Sequence, residues 1–393
     1  MRDQNATSVL VFSARSYAEI ESSHSGYWNR FTQSVSQNIC MDIKWLQLRY
    51  NHFDYPFFIY RLDKEQLTNA AFFVIANTHV GERLHVFNDG VRIYEKLERP
   101  ISEYRCARLI GNILGISKDF LAEMVEILFN SDQVDVIDLF YYSDDQHELM
   151  GSFSGLPVKI ISNRMCDLYN GEIGNNSNDS LSINLATSLE EQLASFKTKK
   201  SHRYNIKNIQ RVKRKAEVEH DMQLKSFYHE CGYPSISERE LEWLAQIDDN
   251  SWQKGKQSIY ITRADKQALS ETIIHLFEKK CLLLCFCLID DYPVSYVLGI
   301  LANNNVCQFS LAYDARFRKL SVGKLAFIHF IQTAIEIGLK KIECAGTRHQ
   351  YKTDLVTFYD PVHESALFNP IKKNAKTLYK IKKLYPIMSI SDL

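Results

Sequence analysis

Residues 313–326 read YDARFRKLSVGKLA and join two stretches of different periodicity. The preceding run VCQFSLAY (306–313) is typical of a strand, and the following run GKLAFIHFIQTAIEIG (323–338) is typical of an amphipathic helix. A strand that enters a helix through a tight turn leaves backbone N–H groups at the helix N-terminus without partners, and the helix dipole adds positive potential there. Such a turn can hold an anion, and phosphates bind at such places.

The side chains of this turn also suit an anion. Ser321 is small and offers a hydroxyl group, and Gly323 lets the backbone approach a ligand closely. Positive charge comes from Arg316, Arg318, Lys319 and Lys324. The same residues could merely begin a helix, with a serine as its N-cap. The turn matches neither the P-loop pattern nor the G-x-G-x-x-G dinucleotide pattern, so these two kinds of phosphate site are excluded.

Two domains are the expectation for 393 residues, because a single hydrophobic core rarely organises so long a chain. The stretch NGEIGNNSNDSLSIN (170–184) has the composition of a linker, which predicts units at residues 1–185 and 186–393. Lys and Arg number 47, as do Asp and Glu, so only local patches could recruit nucleic acid or a membrane. No apolar run forms a signal peptide or approaches the ~18 residues of a membrane span, which predicts a cytoplasmic protein.

The nine cysteines show no repeated C-x-x-C pairing of the kind that binds a metal. In CLLLCFC (281–287), Cys281, Cys285 and Cys287 lie among bulky apolar residues. We expect them to be small hydrophobic residues of a buried strand, with reduced thiols and no metal site.

The order of predicted elements is similar in the two parts of the chain. In the first part, Ser117 is expected to cap a helix in SKDFLAEMVEILFNS (117–131), which precedes a buried strand at 134–142. In the second part, strands precede the turn at 313–326, and a helix and a strand at 339–346 follow it. Each part contains strands and then strand–helix–strand, which predicts an α/β or α+β fold with the same unit present twice.

A long helix or helix pair is predicted over 188–216, and much of it is strongly basic. Its cationic residues are Lys197, Lys199, Lys200, Arg203, Lys207, Arg211, Lys213, Arg214 and Lys215. This density fits a solvated helix face, an anionic acceptor such as a lipid-linked sugar, an RNA, or a membrane surface. Tyr204 is the one aromatic residue inside the run, which argues against a base-stacking nucleic-acid surface.

The order hairpin, strand, basic turn, amphipathic helix, strand resembles the acetyl-CoA-binding core of the GNAT N-acyltransferase superfamily. The turn of that family reads Arg or Gln, two residues, Gly, one residue, then Gly or Ala; here Arg318 to Gly323 matches, with Ser321 in place of the first glycine. Together with SWQKGK (251–256) and AGTRHQYK (345–352), it resembles the tandem branch that includes Fem-type aminoacyltransferases and acetyltransferases of cellulose-biosynthesis type. The resemblance is good over about residues 188–355 and weak over the first 185.

The resemblance implies two tandem GNAT-like units, each a mixed, mostly antiparallel sheet flanked by helices. It implies that the backbone of Leu311, Ala312 and Tyr313 pairs with the pantetheine arm of an acyl-CoA. The pyrophosphate would be held by Arg318, Lys319, Leu320, Ser321, Val322, Gly323 and Lys324. The first unit would be degenerate, because its nearest candidate, GNILGISKDF (111–120), has a single lysine.

The resemblance also implies a group of catalytic and acceptor residues. The catalytic candidates are Asp314, Glu343, Tyr351 and Lys352, and the acceptor-binding candidates are Trp252 and Arg348. Each has a structural alternative: Asp314 could begin the turn, Glu343 could face solvent or pair with a lysine, and Tyr351 and Trp252 could be packing residues. Attack of an amine on a thioester needs a proton acceptor, oxyanion donors and an acid for the thiolate.

The expected activity is transfer of an acetyl or other acyl group from acyl-CoA to an amine, on an amino sugar, an amino acid or a cell-envelope precursor. One alternative is a Fem-type enzyme that uses aminoacyl-tRNA, although no long heptad run indicates the coiled-coil arm such enzymes often carry. Another is a non-catalytic protein of the same fold, which the serine at 321 keeps open. No metal and no nucleic acid other than tRNA is expected as a partner; a lipid-linked acceptor or peripheral membrane contact is compatible with the sequence, which leaves the oligomeric state open.

Overall fold

The computed structural model describes most of the second half of the chain and the main elements of the first. The described residues are 10–14, 16–19, 22, 43–50, 55–63, 66–80, 83–88, 91–96, 101–114, 117–131, 134–142, 158–164, 180–196, 206–251, 266–344, 358–360 and 363–384. They form two compact units. The described residues from 180 to 360 make up the second unit, and those before 180 and after 360 make up the first.

Each unit is built on a seven-stranded sheet. The described strands of the first unit are β1 (Leu10–Ala14), β2 (Tyr55–Asp63), β3 (Gln66–Val80), β4 (Arg83–Asn88), β5 (Val91–Lys96), β6 (Ile101–Leu114), β7 (Val136–Tyr142), β8 (Lys159–Arg164) and β16 (His363–Phe368). Those of the second unit are β9 (Ser180–Asn184), β10 (Met222–Phe227), β11 (Leu282–Ile289), β12 (Tyr292–Ala302), β13 (Asn305–Tyr313), β14 (Lys341–Glu343) and β15 (Phe358–Asp360).

The two sheets have the same order of strand directions. The first sheet runs β1-β2-β3-β6-β7-β16-β8 and the second runs β10-β11-β12-β13-β14-β9-β15, while β4 and β5 form a separate hairpin. Parallel pairing is found between β6 and β7 and between β13 and β14, and the other described pairs are antiparallel. This confirms the predicted fold, a mixed and mostly antiparallel sheet in each of two similar units.

Helices connect the parallel strands and cover the sheets. The described helices are α1 (Ile43–Tyr50), α2 (Lys118–Glu126), α3 (Leu189–Ser195), α4 (Ile206–Glu219), α5 (Glu238–Asp249), α6 (Lys266–Glu278), α7 (Val322–Glu336) and α8 (Lys373–Leu384). A π-helical turn, Ile127–Ser131, extends α2, and a 3₁₀ helix, Ala315–Leu320, precedes α7. The predicted basic helix thus contains α3 and α4, while residues 197–205 lie outside the described part.

The core of the second unit explains the CLLLCFC run. Side chains of a strand alternate between its two faces. Cys285 and Cys287 are fully buried in a cluster with the apolar face of α7, and Phe286 between them packs edge-on against Trp243 of α5 at 5.4 Å. Burial raises the pKa of the thiols of both cysteines to about 12. They are small hydrophobic residues as predicted, whereas Cys281 precedes the strand.

The core of the first unit around α2 is built from apolar side chains. Ser117 caps α2 as predicted, and its hydroxyl accepts the N–H of Phe120 at 3.3 Å. The buried face of α2 consists of Phe120, Leu121, Met124 and Val125. These side chains pack against apolar residues of β2, β3 and β7.

The C-terminal segment departs from the predicted domain division. The described residues 363–384 were expected in the second unit, but they belong to the first. The reason is strand pairing: β16 lies between β7 and β8 with antiparallel bonds to both, and Ala366, Leu367 and Phe368 are buried there. Conversely, β9 was expected in the first unit and pairs with β14 and β15 of the second. Hydrophobic pattern predicts a strand but not which sheet it joins.

Candidate active site

The defining feature of the second sheet is the divergence of β13 from β14. Their parallel pairing covers only Asn305–Cys307 with Lys341–Glu343. Beyond Cys307, β13 continues along β12 to Tyr313, and no described strand pairs with residues 310–313 on the β14 side. An extra residue, Phe309, bulges out of β13 where this divergence begins. The predicted pantetheine residues, Leu311 to Tyr313, lie in this unpaired stretch.

Asp314 lies at the junction where β13 ends. Its carboxylate accepts the Arg316 backbone N–H at 2.9 Å and the Arg316 guanidinium at 2.5–3.1 Å, and the residue is fully buried. Arg316 also donates to the Tyr292 hydroxyl at 2.6 Å. Burial alone would raise the pKa of Asp314, but the bonds from Arg316 outweigh it and lower the pKa. Asp314 therefore caps the 3₁₀ helix as an ion-paired carboxylate, which is the structural alternative considered for it.

The turn ends in an unusual backbone conformation at Ser321. This residue has φ 53° and ψ 36°, in the left-handed region that glycine favours. The family pattern has glycine at this position, and the conformation gives the physical reason for it. Serine adopts the conformation here at a cost of about 1 kcal/mol relative to glycine.

The N-terminus of α7 is not capped by a side chain. Ser321 makes no side-chain cap bond, although its carbonyl accepts the N–H groups of Lys324 and Leu325 at 2.9 and 3.2 Å. Within the described structure, the backbone N–H groups of Val322 and Gly323 have no partner. Unpaired N–H groups at a helix start bind anions because the helix dipole favours negative charge there.

The cations of the turn lie beside this helix start. Arg318 and Lys319 occupy the last turn of the 3₁₀ helix, and both are exposed. Neither side chain makes an ion pair with any other described residue. Exposed cations next to unpaired N–H groups suit a doubly charged ligand such as a pyrophosphate.

Close contacts fix this helix start against the end of β13. A Cβ atom added to Gly323 would lie 3.0 Å from Cδ1 of Tyr313. The glycine thus leaves room for the Tyr313 ring rather than for a ligand alone. On the neighbouring strand, the buried Ser295 donates its hydroxyl to the carbonyl of Val322 at 2.9 Å. These contacts position the turn relative to the diverging strand.

The remaining predicted residues divide into one that is described and four that are not. Glu343 is the last residue of β14, opposite Cys307, where the two strands begin to diverge. Its carboxylate lies 3.7 Å from the Lys341 ammonium, and 41% of its side chain is exposed. The candidates Tyr351, Lys352, Trp252 and Arg348 lie outside the described residues, so their roles stay predictions.

A hydrogen-bonded chain that the sequence reasoning missed lies under the diverging part of β13. The Tyr296 hydroxyl donates to Oδ1 of Asp248 at 2.9 Å and lies 3.1 Å from the Ser310 hydroxyl. Burial, and then the Asp248 charge, raises the pKa of Tyr296 well above its usual value, so the phenol stays protonated. The chain links Ser310, one residue beyond the bulge, to a carboxylate on α5. A tyrosine inside an aliphatic strand was the available signal, because a buried hydroxyl needs a partner.

Two kinds of feature are absent from the described residues, a metal-ligand cluster and a membrane-spanning helix. No three His, Cys, Asp or Glu side chains there come together as metal ligands would. None of the described helices is long and apolar enough to cross a membrane.

Comparison with known proteins agrees with this geometry. Residues 200–353, which contain both the diverging strands and the basic turn, match the family model described as acetyltransferase (GNAT) domain. This matched segment lies within the second unit. Because the first unit repeats its strand order, the chain has a tandem GNAT fold, as the resemblance of the turn implied. A search of curated protein sequences finds no significant match.

Solved structures share this tandem GNAT fold over nearly their whole length. FemX has a TM-score of 0.56 and 10% identity, covering 90% of this chain and 97% of its own. L-PGS from Bacillus licheniformis has a TM-score of 0.52 and 11% identity, covering 91% and 96%. A conserved protein of unknown function from Bacteroides thetaiotaomicron has a TM-score of 0.50 and 10% identity, covering 90% and 98%. At such low identity the likeness concerns the fold alone.

Proposed function

We propose that the protein is an N-acyltransferase that transfers an acetyl or other acyl group from acyl-CoA to an amine. The observation that carries this proposal is the combination of the unpaired edge of β13 with the uncapped, cation-flanked start of α7. An unpaired strand edge offers backbone groups to the amides of a pantetheine arm. A helix start with free N–H groups offers a place for the pyrophosphate that follows it.

The residues of the turn fit this donor in a consistent order. We propose that Leu311, Ala312 and Tyr313 bind the pantetheine through their backbone. The pyrophosphate would lie against the N–H groups of Val322 and Gly323, with Arg318 and Lys319 neutralising its charge. In this proposed arrangement the acyl thioester would lie near Phe309 and Ser310, close to where β13 and β14 begin to diverge.

Catalysis needs a group that removes a proton from the amine as it attacks the acyl carbon. Ser310, Tyr296 and Asp248 form a continuous chain of hydrogen bonds that ends at a carboxylate. We propose that the amine proton passes to Asp248 along this chain while the C–S bond breaks. Asp314 is proposed instead to position the turn through Arg316. Glu343 remains a candidate for binding the amine, and Tyr351 for protonating the thiolate.

The main alternative within this proposal concerns the identity of the acyl donor. FemX shares the fold, and Fem-type enzymes use aminoacyl-tRNA in place of acyl-CoA. We favour acyl-CoA because the compact basic turn suits a pyrophosphate, whereas a tRNA needs a wide cationic surface. Both donors are cytoplasmic molecules, which agrees with the proposed cytoplasmic location. The acceptor is proposed to be an amine on a small molecule or a lipid-linked envelope precursor.

Thermal unfolding with candidate donors tests this proposal. A ligand at about 100 times its Kd stabilises the folded protein by about 2.7 kcal/mol, which raises Tm by a few degrees. We expect this rise with acetyl-CoA or a longer acyl-CoA and no rise with deacylated tRNA. A rise with tRNA alone would favour the Fem-type alternative. No rise with any donor would favour a non-catalytic protein of the same fold.

The acceptor and the proton path need a catalytic assay. Cell extract incubated with the protein and labelled acetyl-CoA should yield a labelled amide that mass spectrometry can identify. With that acceptor, Tyr296→Phe should lower kcat by about a hundredfold, leave the KM of acyl-CoA unchanged and alter the pH profile. A purely structural hydroxyl would lower stability without changing the pH profile.

A further inference from the structure

Helix α8 presents a stripe of lysines to solvent. Lys373, Lys376 and Lys380 follow one another at helical spacings of three and four residues, and all three are exposed. The opposite face holds the buried Ala375 and Leu378, which attach the helix to β6, β8 and β16. The apolar face is therefore used by the fold, and the cationic face remains for a partner.

No acidic side chain of the described residues pairs with this stripe. Residues 365–384 contain no Asp or Glu. Within the described structure, none of Lys373, Lys376 and Lys380 makes an ion pair. The neighbouring Lys159 on β8 adds further charge, since its ammonium lies 4.9 Å from the ring centre of Tyr379 on α8. Several lysines therefore lie on this side of the first unit without an acidic partner among the described residues.

The other basic helix, α4, differs in this respect. Lys213 pairs with Glu217 at 3.8 Å and Lys215 pairs with Glu219 at 3.9 Å. Such i,i+4 pairs stabilise a solvated helix and neutralise its charge locally. Part of the positive charge of α4 is thus neutralised by acidic residues of the same helix. Within the described structure, Lys373, Lys376 and Lys380 of α8 have no such pairs.

An apolar side chain lies next to the lysine stripe. Ile371, just before α8, is 80% exposed. An exposed isoleucine beside several lysines suits a lipid surface, because the apolar side chain can enter the interface while the lysines meet anionic headgroups. A nucleic acid is a poorer fit, because its recognition favours arginine and exposed aromatic rings, and this stripe has lysines only.

We propose that Ile371 and the lysine stripe Lys373, Lys376 and Lys380 bind the surface of an anionic phospholipid bilayer. The chemistry is charge attraction to phosphate-bearing headgroups, assisted by insertion of one apolar side chain. Binding of this kind is reversible, weakens with salt and leaves the fold unchanged. It does not depend on the acyl donor or on the acceptor.

Sedimentation with vesicles tests this proposal on the full-length protein. Vesicles of phosphatidylcholine with about 30% phosphatidylglycerol should bind the protein in about 0.1 M salt and release it in about 0.5 M, whereas phosphatidylcholine alone should not bind. Lys373→Gln/Lys376→Gln/Lys380→Gln should weaken binding on the order of a hundredfold, since three surface lysines are removed. Ile371→Ser should weaken it by a few-fold.

A matched variant on α4 makes the test specific. Lys213→Gln/Arg214→Gln/Lys215→Gln removes the same number of charges from the other basic helix, and we expect it to bind vesicles as the native protein does. Equal loss in both triple variants, or loss in the α4 variant alone, would overturn the proposal. The proposal would also be overturned if the native protein did not bind anionic vesicles, or if the stripe bound tRNA but not vesicles. Because Lys373, Lys376 and Lys380 are exposed and make no ion pair within the described structure, Tm should not change, which separates lost binding from unfolding.

Discussion

The two units contain equivalent junctions between a strand and a helix, and the junctions end differently. In the first unit, β6 ends at Leu114 and α2 begins at Lys118, where the Ser117 hydroxyl accepts a helix N–H. In the second unit, a 3₁₀ helix separates β13 from α7, and Ser321 makes no side-chain cap bond. Two units of the same topology therefore differ at this helix N-terminus. In the first unit a serine side chain caps it, and in the second unit no side chain does.

The charged residues beside the two helix N-termini also differ between the units. The first turn of α2 contains Asp119, which stabilises its own helix N-terminus, whereas the first turn of α7 contains no acidic residue. Arg318 and Lys319 precede α7 instead. A helix start that is capped and acidic is a poor place for phosphate, and one that is uncapped and basic is a good one. We propose that only the second unit binds a donor, and this difference is what supports the proposal.

The largest expected effect comes from neutralising the basic turn. Arg318→Gln/Lys319→Gln should weaken acyl-CoA binding by about a hundredfold or more, because hydrogen bonds to charged groups contribute about 1.5–3 kcal/mol each. Isothermal calorimetry with acetyl-CoA measures the affinity. The matched control is Lys118→Gln at the start of α2, which should leave the affinity unchanged. A loss of affinity in the control, without loss in the double variant, would show that the donor binds the first unit and would contradict the proposal.

A smaller effect is expected from filling the space at Gly323. In Gly323→Val the new side chain meets the Tyr313 ring, which already lies 3.0 Å from the position of a Cβ atom. Displacing Tyr313 disturbs the end of β13 where the pantetheine is proposed to bind, so acyl-CoA affinity should fall about tenfold. The smaller variant Gly323→Ala should lose less. Unchanged affinity in a folded Gly323→Val protein would remove this turn from the proposed donor site.

The sequence predicted some features of the site better than others. The strand, turn and helix at 313–326 were predicted because their signals all lie within a few residues of the chain: a strand pattern, clustered cations, a glycine and a helix pattern. Asp248 and Tyr296 were missed because 48 positions separate them and only the packing of α5 on β12 joins them. The placement of β16 was missed for the same reason, since its hydrogen bonds connect segments far apart in the chain.

Changing the two serines tests the difference between the helix starts directly. Ser117→Ala removes a cap bond and should lower the free energy of unfolding by about 1 kcal/mol. Ser321→Gly should raise it by up to about 1 kcal/mol, because glycine relieves the positive φ, and it should keep acyl-CoA affinity. Urea unfolding monitored by circular dichroism gives both values. Destabilisation by Ser321→Gly would mean that the serine hydroxyl has a role that its geometry does not reveal.

The smallest expected effect concerns how each helix is held along its length. Helix α2 packs through apolar side chains and one ion pair, between Glu123 and Arg61 of β2 at 3.5 Å. Helix α7 instead carries His329, whose Nε2 lies 2.8 Å from the Ser226 hydroxyl, and Thr333, whose hydroxyl lies 2.9 Å from that of Ser226. Burial lowers the pKa of His329; the nearby Glu336 acts in the opposite sense and Lys213 in the same sense. The folded protein thus binds a proton at His329 less readily than the unfolded chain does.

It follows that this histidine contributes stability that is present above its unfolded pKa of about 6.5 and is lost as the pH falls through its lower folded pKa. Comparing the native protein with His329→Gln by urea unfolding at several pH values isolates the contribution, since the other titrating groups are common to both. The native protein should lose more stability than the variant on acidification below about pH 6.5, by less than the loss of a helix cap. Equal losses would show that His329 is protonated as easily in the folded protein as in the unfolded chain. The polar contacts of α7 would then give the protein no pH sensitivity.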